Sequence, residues 1–428
     1  MKRLLTFCLT MVAFLCLVAC NKTTAKKTTK PSDSASSSTT KEQAKEEILL
    51  WVAEETIEFT TTKVNEFLAA NPTFGFTVKI SPMGEGEAAT QMITDVEAGA
   101  DVYCFAQDQL ARLVQAGALA AIGGDYKTNA IANNDAGSIA AASMGGYLYA
   151  YPLTSDNGYF LFYDKSIVKN PSSLDAILTD CATAGKKFYM DNQSGWYDVA
   201  FFFALGCTYS NTYDEEANIT AVNCDFDSAN GVKALRALID MSNHEGFQRS
   251  NSFAANFNPD GGTAAACISG TWDAETIKGY LGANYGVAKL PTFKVGTETY
   301  QMSSFAGFKL VGVNPTQTTN KLVASHKLAV YLTSEAVQLA RFEAKGWGPS
   351  NKNAQQNPKV LANEALAALA AQSPYSIPQG IYPSSYWSIM EALGTDINTK
   401  VITKNATDAE LKAKLEQVVA VLKAEVKK

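Results

Sequence analysis

The spacing of apolar residues changes in a regular way along residues 48–117. Short apolar runs predict strands, and apolar positions three or four residues apart predict helices between them. The predicted order is strand 48–53, helix 60–70, strand 76–80, helix 88–98, strand 101–105 and helix 108–116, with Gly117 as the stop. This β-α-β-α-β alternation predicts an open α/β sheet that binds ligands at the carboxyl ends of its strands.

A second alternation begins after Tyr159. Its predicted elements are, in order, 160–163, a helix near 171–184, 187–190, 197–205 and a long amphipathic helix over 228–243. Helices dominate the C-terminal part, and we predict them at 321–333, 334–345, 363–370, 386–398 and 408–425. Because the alternation restarts, we expect the chain to form two α/β lobes.

Apolar residues also fill the N-terminus over 4–18, directly after a basic start. This arrangement is typical of a secretory signal, and the apolar run is too short to span a membrane as a helix. The run ends in Leu-Val-Ala-Cys at 17–20, which resembles the lipobox of bacterial lipoproteins. We therefore predict a signal peptide over 1–19 and a lipid anchor on Cys20, with an ordinary cleaved signal and an incidental cysteine as the alternative.

The segment after Cys20 contrasts with the rest of the chain. It consists almost entirely of Thr, Ser, Lys, Ala and Glu up to Glu47, with one proline and no large apolar side chain. Such a segment has nothing to bury, so we predict a disordered tether over 20–47. A coil of this length spans about 30 Å, which would keep the body near the extracellular face of the cytoplasmic membrane.

The number and distribution of charged residues exclude one class of partner. The chain has 428 residues, of which 36 are basic and 42 acidic. No basic stripe is present to neutralise phosphates, so we expect no nucleic-acid partner. After the signal, no apolar stretch approaches the length of a membrane span, so we expect a soluble body of two domains, and we expect it to be a monomer.

The cysteines do not indicate a metal site. Besides Cys20, the exported chain would contain Cys104, Cys181, Cys207, Cys224 and Cys267, an odd number without a CxxC pair. No zinc-type spacing occurs, and we expect no metal. If a disulfide forms, we predict that it joins Cys207 to Cys224. Buried free thiols are the alternative.

Enzyme motifs are scarce. The chain has two histidines, and no GxSxG, HExxH or GxxxxGK[ST] string occurs. Asn256–Asp260 is similar to the start of a calcium loop, but Cys267 occupies the twelfth position, where a bidentate carboxylate is needed. We therefore predict no catalytic residue and no cofactor, although a pair of carboxylates that hydrolyses glycosides stays open.

Several segments together resemble one family. They are Gly262-x-x-Ala265-x-x-Ile268-x-Gly270-x-Trp272, Tyr285 to Phe293, Gly99 to Leu119, Gly146 to Leu153, Phe162 to Lys165, and Pro378 with Tyr386-Trp387. Their number, order and spacing over about 350 residues resemble the family 1 extracellular solute-binding proteins, which include the maltose- and maltodextrin-binding proteins of ABC transporters.

The resemblance implies an α/β, two-lobe, periplasmic-binding-protein-like fold of type II. Residues 48–155 with 296–350 would form the N-terminal lobe, and residues 156–295 with 351–428 the C-terminal lobe. The hinge would consist of crossover segments near Asp156, Phe293 and 346–353. Closure of the two lobes around a ligand would then be the functional movement.

A carbohydrate site needs flat aromatic side chains for the C–H faces of a sugar ring and planar polar groups for its hydroxyls. The aromatic candidates are Trp272 and Trp387, then Trp196 and Phe105, with Tyr386 beside Trp387. The polar candidates, by resemblance to family positions, are Glu55, Asp108, Asp156 and Gln193. Any one of these tryptophans could instead belong to the core, and Asp108 could instead cap the helix that it opens.

This sequence also departs from the maltose-binding pattern. The loop at 194–196 reads Ser-Gly-Trp in place of an acidic residue and a tyrosine, Phe105 replaces a tryptophan, and Gln109 replaces an arginine beside Asp108. The sequence therefore still predicts a sugar ligand, but it does not predict maltose specifically. Tyr197, Tyr382 and Tyr386 could supply further stacking platforms for a longer oligosaccharide.

The expected function is capture of an oligosaccharide, most simply a maltodextrin, and its delivery to an ABC permease. Two alternatives belong to other classes. An exported glycoside hydrolase would shorten the oligosaccharide, and a surface lipoprotein without a transport role would show no saturable binding of a small molecule.

Overall fold

The computed structural model describes residues 46–214, 218–379 and 382–426. The predicted signal peptide, the anchor at Cys20 and most of the predicted tether lie outside the described residues. The last two residues assigned to the tether, Glu46 and Glu47, instead begin the first strand. In the part that the structure describes, no helix is both long and apolar enough to cross a bilayer.

The strands follow the predicted alternation and add several short hairpins. They are β1 Glu46–Val52, β2 Phe76–Pro82, β3 Val102–Ala106, β4 Ser143–Met144, β5 Tyr147–Leu148, β6 Ala150–Thr154, β7 Phe160–Asp164, β8 Lys187–Met190, β9 Tyr209–Tyr213, β10 Ile219–Cys224, β11 Phe247–Arg249, β12 Ala264–Ser269, β13 Tyr285–Ala288, β14 Thr292–Val295, β15 Glu298–Gln301, β16 Ser304–Ala306, β17 Lys309–Val313 and β18 Ser376–Pro378.

The helices also lie close to the predicted positions. They are α1 Ile57–Ala70, α2 Ala88–Thr94, α3 Leu110–Gln115, α4 Gly124–Asn133, α5 Ala136–Ala141, α6 Leu174–Thr183, α7 Gly195–Ala204, α8 Ala229–Ser242, α9 Ala274–Leu281, α10 Thr319–Leu332, α11 Glu335–Lys345, α12 Lys352–Gln355, α13 Pro358–Leu361, α14 Glu364–Gln372, α15 Ser384–Asn398 and α16 Asp408–Lys423.

The N-terminal lobe is built on a five-stranded sheet in the order β2-β1-β3-β17-β6. Strands β1, β2 and β3 run parallel, and β17 lies antiparallel to both β3 and β6. Helices cover the sheet, so central side chains such as Leu50 and Val102 are fully buried. Burial on both faces explains why the inner strands β3 and β17 are almost entirely apolar in sequence, whereas the edge strand β2 alternates exposed and half-buried residues.

The C-terminal lobe has its own five-stranded sheet in the order β11-β8-β12-β7-β13. Phe160, Leu161 and Phe162 of β7 are fully buried in its core. Helices α7, α8, α15 and α16 pack on this lobe and bury their apolar faces against that core. The predicted α/β fold of two lobes is confirmed, because each sheet has a separate hydrophobic cluster.

Three segments connect the lobes. Ser155 donates its backbone N–H to Gly348, and Asn157 donates to Gly307, so residues 155–158, 306–309 and 346–350 run side by side. The predicted crossing near Phe293 is wrong, because Phe293 is buried in the C-terminal core with its ring 4.9 Å from that of Phe201.

The predicted lobe boundary at 296 also needs correction. The β14–β15 hairpin and β16 pack with the C-terminal lobe, where Met302 and Phe305 are fully buried. The second crossing therefore follows β16, about ten residues later than the predicted boundary. The sequence pattern could not locate it, because a short strand of a hairpin and a short crossing strand give the same local pattern.

No disulfide forms among the described cysteines, and the predicted choice of Cys207 with Cys224 is wrong. Both thiols are buried, and burial raises the pKa of Cys207 to about 11 and that of Cys224 to about 12. The backbone pairing of β9 with β10 already closes this loop. The two cysteines therefore act as small apolar side chains whose thiols remain protonated.

Candidate functional site

A cleft of about 960 Å³ lies between the two lobes. This volume is at the upper end of the range typical of small-molecule sites. Its N-terminal wall is formed by residues that follow β1, β2 and β3 and by the first residue of β17. Residues of both lobes line it: Glu55, Gly84, Glu85, Gly86, Glu87, Thr90, Ala106, Asp108, Arg112, Asn157, Ser194, Trp196, Tyr197, Trp272, Lys309, Gln379, Trp387 and Ser388.

Two tryptophans form an aromatic wall on the C-terminal side of the cleft. The rings of Trp196 and Trp272 lie 5.8 Å apart at an angle of 39°, and both side chains are half-buried. Trp196 packs edge-on against Tyr159, at 4.8 Å, and against Tyr197, at 5.1 Å. These contacts leave Trp196 little freedom to turn, so the wall is preorganised.

Gly270 makes room for Trp272. The indole folds back over this glycine, and a Cβ atom placed there would lie 2.1 Å from two ring carbons. The backbone of Gly270 is extended, with φ of −109°, so the glycine is required for space and not for its conformational freedom. The pair Gly270 and Trp272 in the sequence thus has a direct structural reason.

Trp387 enters the cleft from α15. Its ring stands at 88° to the rings of both Tyr382 and Tyr386, at 5.8 Å and 4.8 Å respectively. Tyr386 is fully buried, stacks on Tyr209 at 4.9 Å, and donates its hydroxyl to the Gly195 carbonyl at 3.0 Å. The prediction of Tyr386 as a ligand residue is therefore corrected: Tyr386 supports Trp387 from behind.

Three other predicted residues lie outside the cleft. Phe105 is 0% exposed inside the N-terminal core, because its strand is covered on both faces. Gln193 donates to Thr395 at 3.3 Å and so joins its loop to α15. Asp156 is buried and accepts from Thr271 Oγ1 at 2.7 Å and from the backbone N–H of Gly348 at 2.6 Å. Both bonds go to Oδ2, so the carboxylate joins the hinge to the C-terminal lobe, and Asp156 is not among the residues that line the cleft.

Asp108 lies in the 3-10 turn of Gln107–Gln109, directly before α3, and faces the cleft. Burial raises the pKa of its carboxyl group to about 6, while Arg112 and a hydrogen bond from the Gln379 side chain favour the ionised form. Its side chain does not cap the helix, so the capping alternative does not apply. Gln379 belongs to the C-terminal lobe, and Asp108 therefore contacts both walls of the cleft.

Arg112 is a cleft residue that was not predicted. Gln109 stands in place of an arginine beside Asp108, but α3 carries Arg112 to the cleft one helical turn after Asp108. The Arg112 guanidinium donates to Thr90 Oγ1 at 3.2 Å. The spacing of four residues between an acidic and a basic side chain could have indicated this pair.

Lys309 and Glu85 were also missed. Lys309 is the first residue of β17, and its Nζ atom lies 3.7 Å from Glu85 Oε1. The same Nζ atom lies 3.6 Å from the centre of the Trp347 ring. A lysine at the first position of a buried strand was the available signal, because lysine is rarely buried without a partner.

The side chains in this cleft suit a polyhydroxylated ligand. Trp196, Trp272 and Trp387 offer flat apolar faces, while the carboxylates and Arg112 accept or donate in-plane hydrogen bonds. Among the described residues, no group of three or more His, Cys, Asp or Glu side chains is placed to hold a metal ion. Of the predicted site residues, the cleft brings together Glu55, Asp108, Trp196, Trp272 and Trp387, whose contact with a ligand stays a prediction.

Comparisons with known proteins agree with this geometry. A family model described as bacterial extracellular solute-binding protein matches residues 63–368. A structure solved with acarbose is 31% identical, has a TM-score of 0.79, and covers 90% of this chain and 100% of its own. The maltodextrin-binding protein MalE1 from L. casei BL23, solved without ligand, is 22% identical, with a TM-score of 0.72 over 89% of this chain and 100% of its own.

A curated relative matches over a shorter stretch. The galactooligosaccharide-binding protein of Bacillus subtilis (strain 168) is 31% identical over 166 residues, which is 39% of this chain. The matched stretch covers 37% of that relative's own length.

Proposed function

Because this chain belongs to the bacterial extracellular solute-binding proteins, we propose that it captures an oligosaccharide between its lobes and delivers it to an ABC permease. The observation that carries the proposal is the cleft, in which Trp196 and Trp272 of one lobe face Asp108 and Arg112 of the other. Stacking surfaces opposite charged, planar hydrogen-bonding groups are what a sugar ring requires.

Closure of the two lobes around the ligand would mark the ligand-bound form for the permease. A ligand that touches both walls stabilises the closed form over the open form by its differential contacts. Two or three stacked rings at about 0.5–1.5 kcal/mol each, with several buried hydrogen bonds at about 1 kcal/mol each, reach the roughly −8 kcal/mol of a micromolar complex. No covalent chemistry is needed for this function.

The substrate class that we propose is a maltodextrin or a similar oligosaccharide. Its support is a relative of 31% identity solved with acarbose and a curated relative named for galactooligosaccharides. The family description as extracellular supports export, and we propose further that Cys20 carries a lipid anchor that holds the protein at the extracellular face of the cytoplasmic membrane.

The test is a ligand screen with the purified full-length chain. Malto-, galacto-, xylo- and fructo-oligosaccharides of matched length would be compared by thermal shift and by calorimetry. A ligand that binds only the native state raises Tm, so one series is expected to raise it in a saturable manner. Chromatography of the ligand afterwards should show unchanged chain length. Shortened products would instead support a glycoside hydrolase, and the absence of any saturable shift would contradict the proposal.

Ligand affinity should depend on the ionisation of Asp108. Because the pKa of Asp108 is about 6, lowering the pH from 7.5 to 5 protonates a carboxylate that would accept ligand hydroxyls and pair with Arg112. A neutral acceptor is weaker than a charged one by about 1 kcal/mol, so Kd should rise about fivefold over this range in calorimetric titrations. The Asp108→Asn variant should bind more weakly at pH 7.5 and show a flat pH profile. An unchanged pH slope in that variant would assign the effect to another group.

A further inference from the structure

Lys309 is a buried lysine at the boundary between the lobes. Only 6% of its surface is exposed, and it begins β17 of the N-terminal lobe. A lysine ammonium is strongly hydrated, so its burial has to be offset by partners that replace water. The partners that the structure provides come from both lobes.

The N-terminal side holds the ammonium in place. Glu85, in the loop after β2, lies 3.7 Å from Lys309 Nζ, and Trp347, directly after α11, places its ring centre 3.6 Å from the same atom. Trp347 is itself buried, so the cation–π contact is shielded from water and correspondingly stronger.

The ammonium also reaches across the cleft. Its Nζ atom lies 5.8 Å from the ring centre of Trp272, which belongs to the C-terminal lobe. This distance is within the range of a cation–π interaction. Lys309 lies where the second connecting segment enters β17 of the N-terminal sheet, and Glu85 follows β2 of that sheet, so hinge rotation would change the separation of Lys309 from Trp272 more than its separation from Glu85. Trp347 lies in the third connecting segment, beside Lys309.

We propose that Lys309 is a positioning residue that stabilises the closed form by holding Trp272 against the N-terminal lobe. The inference deepens the proposed function and rests on it. The structure gives Lys309 an anchored side, at Glu85 and Trp347, and a second side, towards Trp272, whose distance depends on how close the two lobes are. Lys309 therefore acts on affinity through the closed state and through the placement of Trp272, independently of which hydroxyls the ligand offers.

The test compares Lys309→Met with Lys321→Met. Lys309→Met keeps an unbranched side chain but removes the charge. Lys321→Met is the control, because Lys321 belongs to the same lobe, pairs with Asp101 at 2.7 Å and does not line the cleft. Kd and rate constants would be measured for two oligosaccharides of different length. Loss of a cation–π contact predicts about a tenfold rise in Kd for Lys309→Met, equal for both ligands, and no change for Lys321→Met.

Two further readouts distinguish positioning from direct contact. In Lys309→Met the rise in Kd should come from faster dissociation at an unchanged association rate, and X-ray scattering should show less compaction at saturating ligand. Lys309→Arg, which keeps the cation, should restore most of the affinity. A loss confined to one ligand would overturn the inference, because it would mean a hydroxyl contact.

A further variant separates a loss of binding from a loss of folding. Trp347→Phe loosens the hold on Lys309 from a position that does not line the cleft, and it is expected to raise Kd about threefold even if Lys309→Met does not fold. If the wild-type protein binds no oligosaccharide, the proposed function fails. If the wild type binds and both variants keep its affinity and dissociation rate, the role of Lys309 fails alone.

Discussion

Trp272→Ala is expected to weaken oligosaccharide binding about a hundredfold. The indole of Trp272 is half-buried in the cleft wall beside Trp196, so its removal deletes a stacking surface and separates Lys309 from the C-terminal lobe. Truncation of a central aromatic residue in a binding site commonly costs at least about 2 kcal/mol. Isothermal calorimetry with the best ligand of the screen would measure the change in Kd.

A matched tryptophan provides the control. Trp51 lies on β1, outside the cleft, and packs against the N-terminal core. Trp51→Ala should lower thermal stability and leave Kd within about twofold of the wild type. Gly270→Ala should weaken binding about tenfold while the indole is retained, because the new Cβ would displace the ring. Equal losses in Trp51→Ala and Trp272→Ala would show that the effect is one of general stability.

Asp198→Asn is expected to stabilise the protein, by about 2 kcal/mol at pH 8. Asp198 lies on α7 and is 0% exposed, and neither of its carboxylate oxygens has a hydrogen-bond partner among the described residues. Burial, with a smaller effect of Asp191, raises the pKa of its carboxyl group well above the ordinary value. Asparagine fits the same space without a charge that must be buried.

The direction of the pKa shift determines how the stabilisation by Asp198→Asn changes with pH. In the unfolded chain Asp198 ionises near pH 4, while in the folded protein it holds its proton to a higher pH. Above pH 4 the folded state therefore binds more protons, and stability falls as the pH rises towards the folded pKa. Urea unfolding should show a gain for Asp198→Asn that is small at pH 4 and grows by pH 8.

An exposed aspartate serves as the reference. Asp260→Asn, on a surface loop, should change the free energy of unfolding by less than about 0.5 kcal/mol at either pH. A gain for Asp198→Asn that is independent of pH would contradict the argument, because it would come from packing and not from ionisation.

The alternation of elements was predictable because each element has a local signal. The predicted strand 187–190 coincides with β8, and the predicted helix 228–243 differs from α8 by one residue at each end. The second crossing was not predictable in the same way. Whether β14 and β15 belong to one lobe or the other depends on contacts with Phe201, which lies about ninety residues earlier.

The site was predictable in residue type more than in orientation. Trp272 and Trp387 follow a glycine or a proline-containing turn, and both reach the cleft. Tyr386, adjacent to Trp387, points into the core, because neighbouring residues on a helix face different directions. Lys309 was missed, since its partners Glu85 and Trp347 are distant in sequence and meet it only in the folded chain.

The position of β17 in the sequence determines when the N-terminal sheet can be completed during synthesis. It pairs with β3 on one side and β6 on the other, yet the ribosome reaches residues 309–313 only after the whole C-terminal sheet has been synthesised. Until then, β3 and β6 each present an unpaired edge. A chain that stops at residue 155 therefore lacks the strand that joins β6 to β3, and the N-terminal sheet can be completed only once residue 313 has been made.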